Sequence, residues 1–227
     1  MKIVPAGEGA LIAYFGDQPS PDISLTIQAA VQRLPDLIGP ALVDLVPSYA
    51  SLLVLFDPLE AELAQVRQAM LKCGSRPDAA AEIESRLVEL PTWYSPESGP
   101  DLSDLASHAG LSVEQVIELH QQQEYRVYAI GFAPGFAYLG EVDPQIARPR
   151  HKTPRQKVPA GSVAIADRQT AVYPQDSPGG WNLIGRCPLT LFDPEADPVM
   201  PFEVGDRVRF RAISRSEFER LGGNLER

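Results

Sequence analysis

The sequence predicts a two-part mixed fold. A small α+β domain over residues 1–90 would be followed, over 91–227, by a mainly-β barrel with a helical insertion. Three observations carry this. Residues 1–90 alternate short apolar runs with stretches of helical periodicity. Loop composition takes over at Ser95–Pro100. Beyond Gln123 the chain becomes a series of short apolar runs punctuated by glycine and proline, the pattern of a closed or nearly closed barrel.

In the first part, Lys2–Pro5 and Ala10–Phe15 read as strands joined across Gly7-Glu8-Gly9. Ser20 as N-cap with Pro21 behind it opens a helix, because the cap oxygen satisfies an orphan amide and proline lacks the N–H that would be wasted there. Ile23, Ile27, Val31 and Leu34 then fall on one face. Ala41–Val46 and Ser51–Phe56 read as two more strands. Asp57-Pro58 repeats the cap-and-proline device ahead of a second helix striped by Leu59, Leu63, Val66 and Met70. Ile83–Leu90 offers a last strand, so the expected order is β-β-α-β-β-α-β, two helices on one antiparallel sheet.

In the second part, Asp101 is placed to cap a short helix that Gly110 ends. Ser112 and Gln115 have capping-box spacing for another. Strands are expected at Arg126–Ile130, Ser162–Ala166, Thr170–Tyr173, Asn182–Ile184, Leu189–Phe192 and Val208–Ala212.

Composition narrows the function. The net charge of −10 argues against nucleic acid, which rewards a cationic face. No apolar run approaches the ~20 residues that a membrane-crossing helix needs. The N-terminus lacks the long apolar segment of a signal peptide. Cys73 and Cys187 stand far apart without metal-ligand spacing, and none of the three histidines is spaced for zinc, so no metal is expected. Reduced, buried thiols suggest a cytoplasmic protein.

Charge is also unevenly shared. Residues 1–90 hold 6 of the 20 basic side chains, leaving 14 to the second part. Five of those, Arg148, Arg150, Lys152, Arg155 and Lys157, form an island with His151 and no acid. Prolines 149, 154 and 159 stiffen it. The island is either a solvated charge run or a rigid arm for bidentate capture of a carboxylate or phosphate, with Arg150 and Arg155 ranked first. His120 shares a helix face with Val113, Val116 and Ile117, and is either a histidine at a core edge or a general acid/base. Phe132, Phe136 and Tyr138 pack a core or wall a pocket. Ser162 has no nucleophile-elbow context and reads first as a turn hydroxyl. Ser177-Pro-Gly-Gly-Trp181 is a tight turn whose Gly179 and Gly180 amides could accept an anion. Asn182 and Arg186 follow it.

The run GFAPGFAYLG…PR…TPR…VPAGSVAIA…QTAVYPQDSPGGWNLIGRCPLTLFD closely resembles the KipI/PxpB family, and with the His120 helix and the terminal FEVGDRVRF the resemblance covers nearly the whole chain. It implies a cyclophilin-like barrel in the second part. It implies one component of an ATP-dependent 5-oxoprolinase, with ATP and magnesium used by the whole complex and no nucleotide site evident in this chain. Subunits A and C would be its partners and a small planar amide its substrate. A second reading is a KipI-type inhibitor of a sensor histidine kinase, and a third a component of an allophanate or urea amide-hydrolysing system. By matching positions, the implied catalytic residues are His120, Tyr128, Arg150 and Arg155. The implied substrate-binding residues are Phe132, Pro134, Phe136, Gly161, Ser162, Tyr173, Gly179, Gly180, Trp181 and Arg186. The chain departs from the family pattern at Trp93, Asn182 and Cys187, none of which removes a charged group.

Overall fold

In the computed structural model, which describes residues 1–73 and 85–225, the early strands lie close to where the apolar runs place them. They are β1 (Lys2–Gly7), β2 (Ala10–Tyr14), β3 (Leu42–Ser48) and β4 (Ser51–Phe56), with helices α1 (Pro21–Ile38) and α2 (Leu63–Cys73) between and after them. The sheet is antiparallel in the order β1-β2-β4-β3. Ser20 caps α1 as expected, its hydroxyl accepting from the Ile23 amide at 3.2 Å. Leu11, Leu52 and Val54 from the sheet meet Ile27, Leu34 and Val66 from the helices in one core.

Two expectations fail here. Asp57-Pro58 does not open the second helix. Its carboxylate accepts from the Leu59 amide at 2.9 Å and makes a local turn, and α2 begins only at Leu63. Leu59, expected in the apolar stripe, is 93% exposed. The last strand also belongs elsewhere. Residues 83 and 84 of the expected Ile83–Leu90 lie outside the described residues, and the strand observed is β5 (Leu87–Thr92). It pairs in parallel with a strand of the second part. The chain falls into two compact units, Met1–Ser85 and Arg86–Arg227, and the first reads β-β-α-β-β-α.

After β5 the second unit runs α3 (Leu102–Ala109), α4 (Val113–Gln121), β6 (Tyr125–Ile130), β7 (Ala137–Gly140), β8 (Arg155–Val158), β9 (Ser162–Ala166), β10 (Gln169–Val172), β11 (Ser177–Gly179), β12 (Asn182–Arg186), β13 (Arg207–Ala212) and α5 (Arg215–Arg220). Seven strands form one sheet in the order β12-β9-β10-β7-β6-β13-β5. Its two edges meet through Trp93 and Arg186, whose backbones exchange two hydrogen bonds of 2.9 Å, so the barrel is nearly closed. The capping box at Ser112 and Gln115 is present, and Gly110 ends α3 in the left-handed region. Leu189–Phe192 is not a strand; it takes an irregular path that buries Leu191 in the barrel core.

Strands β9 and β12 are buried at every position, which a barrel wall alone would not require. Val163, Ile165 and Ile184 point into the barrel. Ala164, Ala166, Ala171 and Leu183 point the other way, into a second cluster with Phe136, Val158, Tyr173 and Trp181. The two-stranded ribbon β8–β11 and the loop after β6 supply that cover. Three alanines on the outer face leave room for the large aromatic rings above them.

Candidate functional site

The cover does not fill the outer face. Between the ribbon and the loop lies a cavity of about 310 Å³. Phe136, Tyr173 and Trp181 form its buried base. Phe136 meets Tyr173 at 5.3 Å and 83°, and Trp181 at 5.8 Å and 89°, the edge-to-face packing that ring quadrupoles favour. Tyr138, Pro154 and Pro178 complete the apolar walls. Phe132 stands on the rim, 65% exposed, with a backbone φ of 74° in the region that favours glycine.

Gly179 and Gly180 bring the ribbon close to this base. A Cβ on Gly179 would lie 2.3 Å from the Tyr173 hydroxyl oxygen. The Gly180 carbonyl accepts from the His151 amide at 2.7 Å, tying the turn to the cationic island. Burial raises the Tyr173 phenol above its usual range, while Arg150 and Arg155 pull it down.

Three of the five island cations are paired. Arg148 binds Asp104 at 2.6 Å, Lys157 binds Asp176 at 2.7 Å, and Arg155 binds Asp101 at 2.6 Å. Arg150 is exposed, lines the cavity, and has no carboxylate partner among the described residues. Its guanidinium carbon lies 5.7 Å from the Trp181 ring centroid. A cation stacked on an aromatic face and unpaired is available to an anion.

Asp101 was expected to cap α3, and its side chain makes no cap bond. It is turned toward the island, where it takes Arg155 and accepts from the Leu183 amide at 2.7 Å. Its second oxygen lies 3.4 Å from His151 Nε2. Arg155 also donates to the Trp181 carbonyl at 3.3 Å, so the pair braces the base of the cavity without lining it.

Of the residues singled out in the sequence, the structure brings together Phe132, Phe136, Arg150, Tyr173, Gly179, Gly180 and Trp181. It places others elsewhere. His120 lies fully buried in the barrel core between Tyr125 and Phe210. Its Nδ1 is 2.7 Å from the Tyr94 hydroxyl and its Nε2 2.9 Å from the Thr170 hydroxyl, which itself donates to the Ala164 carbonyl at 3.0 Å. The Thr170 proton is thereby used, so Nε2 carries the imidazole proton and Nδ1 accepts from Tyr94. Burial pushes the His120 pKa down to about 3. Tyr128 lies outside the cavity lining, its phenol raised first by burial. Pro134 is exposed in its loop and does not line the cavity.

Ser162 is 1% exposed and donates to the Pro159 carbonyl at 2.7 Å. Gly161, at φ 79°, packs so closely that a Cβ would lie 2.3 Å from the Cys187 carbonyl oxygen. Arg186 is buried at the barrel seam, its pKa lowered first by burial. Sequence reasoning missed His151, Pro154 and Asp101 as parts of this site. The adjacency of His151 to Arg150 was the available signal; Asp101 lies 54 positions from its arginine and gave none.

Comparison with known proteins places the chain. A family model described as carboxyltransferase domain, subdomain C and D, matches residues 1–202. The chain belongs to this family. The relatives it resembles include the 5-oxoprolinase B subunit of Bacillus subtilis strain 168, 36% identical over 231 residues, with 96% of this chain and 95% of that protein covered. The corresponding 5-oxoprolinase B subunit of Escherichia coli O157:H7 is 41% identical over 194 residues, covering 84% and 88%. These family members bear out the resemblance to the KipI/PxpB proteins. Among solved structures, that of TTHA0988 superimposes with a TM-score of 0.81 at 38% identity over 90% of this chain. The chain spans only 40% of the length of TTHA0988.

Proposed function

We propose that this chain is the B component of an ATP-dependent 5-oxoprolinase, opening the lactam of 5-oxo-L-proline to L-glutamate together with separate A and C polypeptides. The observation that carries the reading is the cavity itself. A ring with a carboxylate needs an aromatic surface and one unpaired cation, and the base of Phe136, Tyr173 and Trp181 beneath Arg150 supplies both. The names of the curated relatives and their near-complete overlap with this chain support the same assignment. In this reading the second unit is the cyclophilin-like barrel and the first a separate α+β domain.

The cavity lining does not fit a nucleotide. It offers one arginine, one histidine and the Gly179-Gly180 backbone, with no lysine and no glycine-rich loop opening a helix of the kind that cradles a triphosphate. Among the described residues no three His, Cys, Asp or Glu side chains come together to hold a metal ion. In this reading the chain's share is to hold and orient the ring, and ATP and magnesium are used by the whole complex at a site supplied wholly or partly by a partner polypeptide. Among the described residues no helix is long and apolar enough to cross a membrane. A cytoplasmic location accords with ATP use and with the two unbridged cysteines.

The test is reconstitution. The chain purified with its A and C polypeptides should form glutamate from 5-oxoproline when ATP is present. Omission of this chain should abolish that. Equal glutamate formation with and without it would end the assignment.

A further inference from the structure

Resting on the reading above, we propose that His151 is the residue that passes a proton to the lactam nitrogen as the ring opens, and that Asp101 positions it. The sequence pointed to His120 for such a role, yet His120 is sealed in the barrel core with both ring nitrogens engaged. His108 is exposed on α3 and absent from the cavity lining. His151 is the histidine that lines it.

Its geometry suits the task. The backbone is held by the 2.7 Å bond from its amide to the Gly180 carbonyl. The side chain is 30% exposed, while Nε2 is buried without a hydrogen-bond partner and lies 3.4 Å from the Asp101 carboxylate. That distance is an ion-pair contact, too long for a good hydrogen bond, and such contacts tighten when a ligand closes the site. With Nε2 turned to Asp101, Nδ1 is the ring nitrogen left for the ligand. Asp101 cannot drift, because Arg155 and the Leu183 amide hold it. The charged and titratable groups near His151 are Asp101 at the start of α3, Arg150 and Lys152 on either side of it in the chain, Arg155 on β8, and Tyr138 and Tyr173 in the same cavity lining.

The step balances. Water oxygen bonds to the ring carbonyl carbon, and the C–N bond breaks with its electron pair remaining on nitrogen. That nitrogen takes the His151 proton, and the proton lost by the attacking water returns to His151. An amine leaving without a proton would be a poor leaving group, so removal of the donor should slow chemistry more than binding.

The experiment is a pH profile of glutamate formation by the reconstituted complex. In His151→Gln, kcat should fall about 100-fold, KM should stay within about threefold, and the limb of the profile due to the imidazole should vanish. In Asp101→Asn kcat should fall at least about tenfold while KM stays within about threefold, the split expected when a positioning group is lost and one that loss of structure alone would not give. Imidazole NMR spectra of each variant, with His108 and His120 unmoved, establish that the fold is kept. Active wild-type complex with a His151→Gln profile superimposable on it would overturn the role and leave the assignment standing. A wild-type complex that makes no glutamate would overturn the assignment and the role with it.

Discussion

Lowering the pH from 7.5 to 4.5 should cost the barrel unit about 3 kcal/mol through His120 alone. The imidazole has its ordinary value of 6.5 in the unfolded chain and about 3 in the folded one, because burial disfavours the charged form. The unfolded state therefore binds the proton first. Stability from this group is complete above pH 6.5, falls as pH drops through the window to about 3, and levels off below it. At pH 4.5 the unfolded imidazole is two units below its pKa, and each unit is worth about 1.4 kcal/mol. Urea unfolding followed by tryptophan fluorescence reads the right unit, since Trp93 and Trp181 both lie in it. The control is His120→Gln, which keeps a donor and an acceptor but does not titrate. The stability difference between wild type and His120→Gln should shrink by about 3 kcal/mol between the two pH values. Parallel pH dependences would refute the reasoning. So would a His120 ring-proton shift that titrates near 6.5, a measurement that needs no variant.

Other positions give sharper structural tests. Gly99→Ala would place a Cβ 2.1 Å from the Ile184 carbonyl carbon and 2.4 Å from the Gly185 amide, a backbone collision that should cost about 3 kcal/mol or more and show as a lowered Tm. Arg155→Ala should cost about 2 kcal/mol in urea titrations, since it strips Asp101 of its guanidinium. An unchanged midpoint would mean the brace is idle. Neither cysteine should react with a thiol reagent at pH 8 until denaturant is added. Both are buried, and burial pushes Cys187 up to about 12.

Much of the fold was legible because its signals are local. Ser20-Pro21 and Ser112-x-x-Gln115 declare helix starts through their own hydrogen bonds, and the structure has both. Asp57-Pro58 carries the same local signal and fails, because Leu59 finds no core to pack against and a turn satisfies Asp57 first. The strand Leu87–Thr92 was seen but given to the wrong sheet, since pairing with Arg207–Ala212 spans 120 positions and leaves no local trace. The site divides in the same way. Rings and glycines within the Phe132–Phe136 and Gly179–Trp181 turns could be named from sequence. The pairing state of each island cation could not. Whether Arg150 or Arg155 is free depends on Asp101, whose role as a brace in place of a cap is decided by tertiary contacts.

The central claim is that Arg150, stacked on Trp181 and unpaired, holds the substrate carboxylate. The direct measurement is steady-state kinetics of the reconstituted complex carrying Arg150→Ala. Arg150 is exposed and bears no ion pair among the described residues, so the fold should be unaffected. The account predicts a KM for 5-oxoproline raised by at least about tenfold, equivalent to about 1.4 kcal/mol, with kcat little changed. A KM equal to that of the wild type would contradict it.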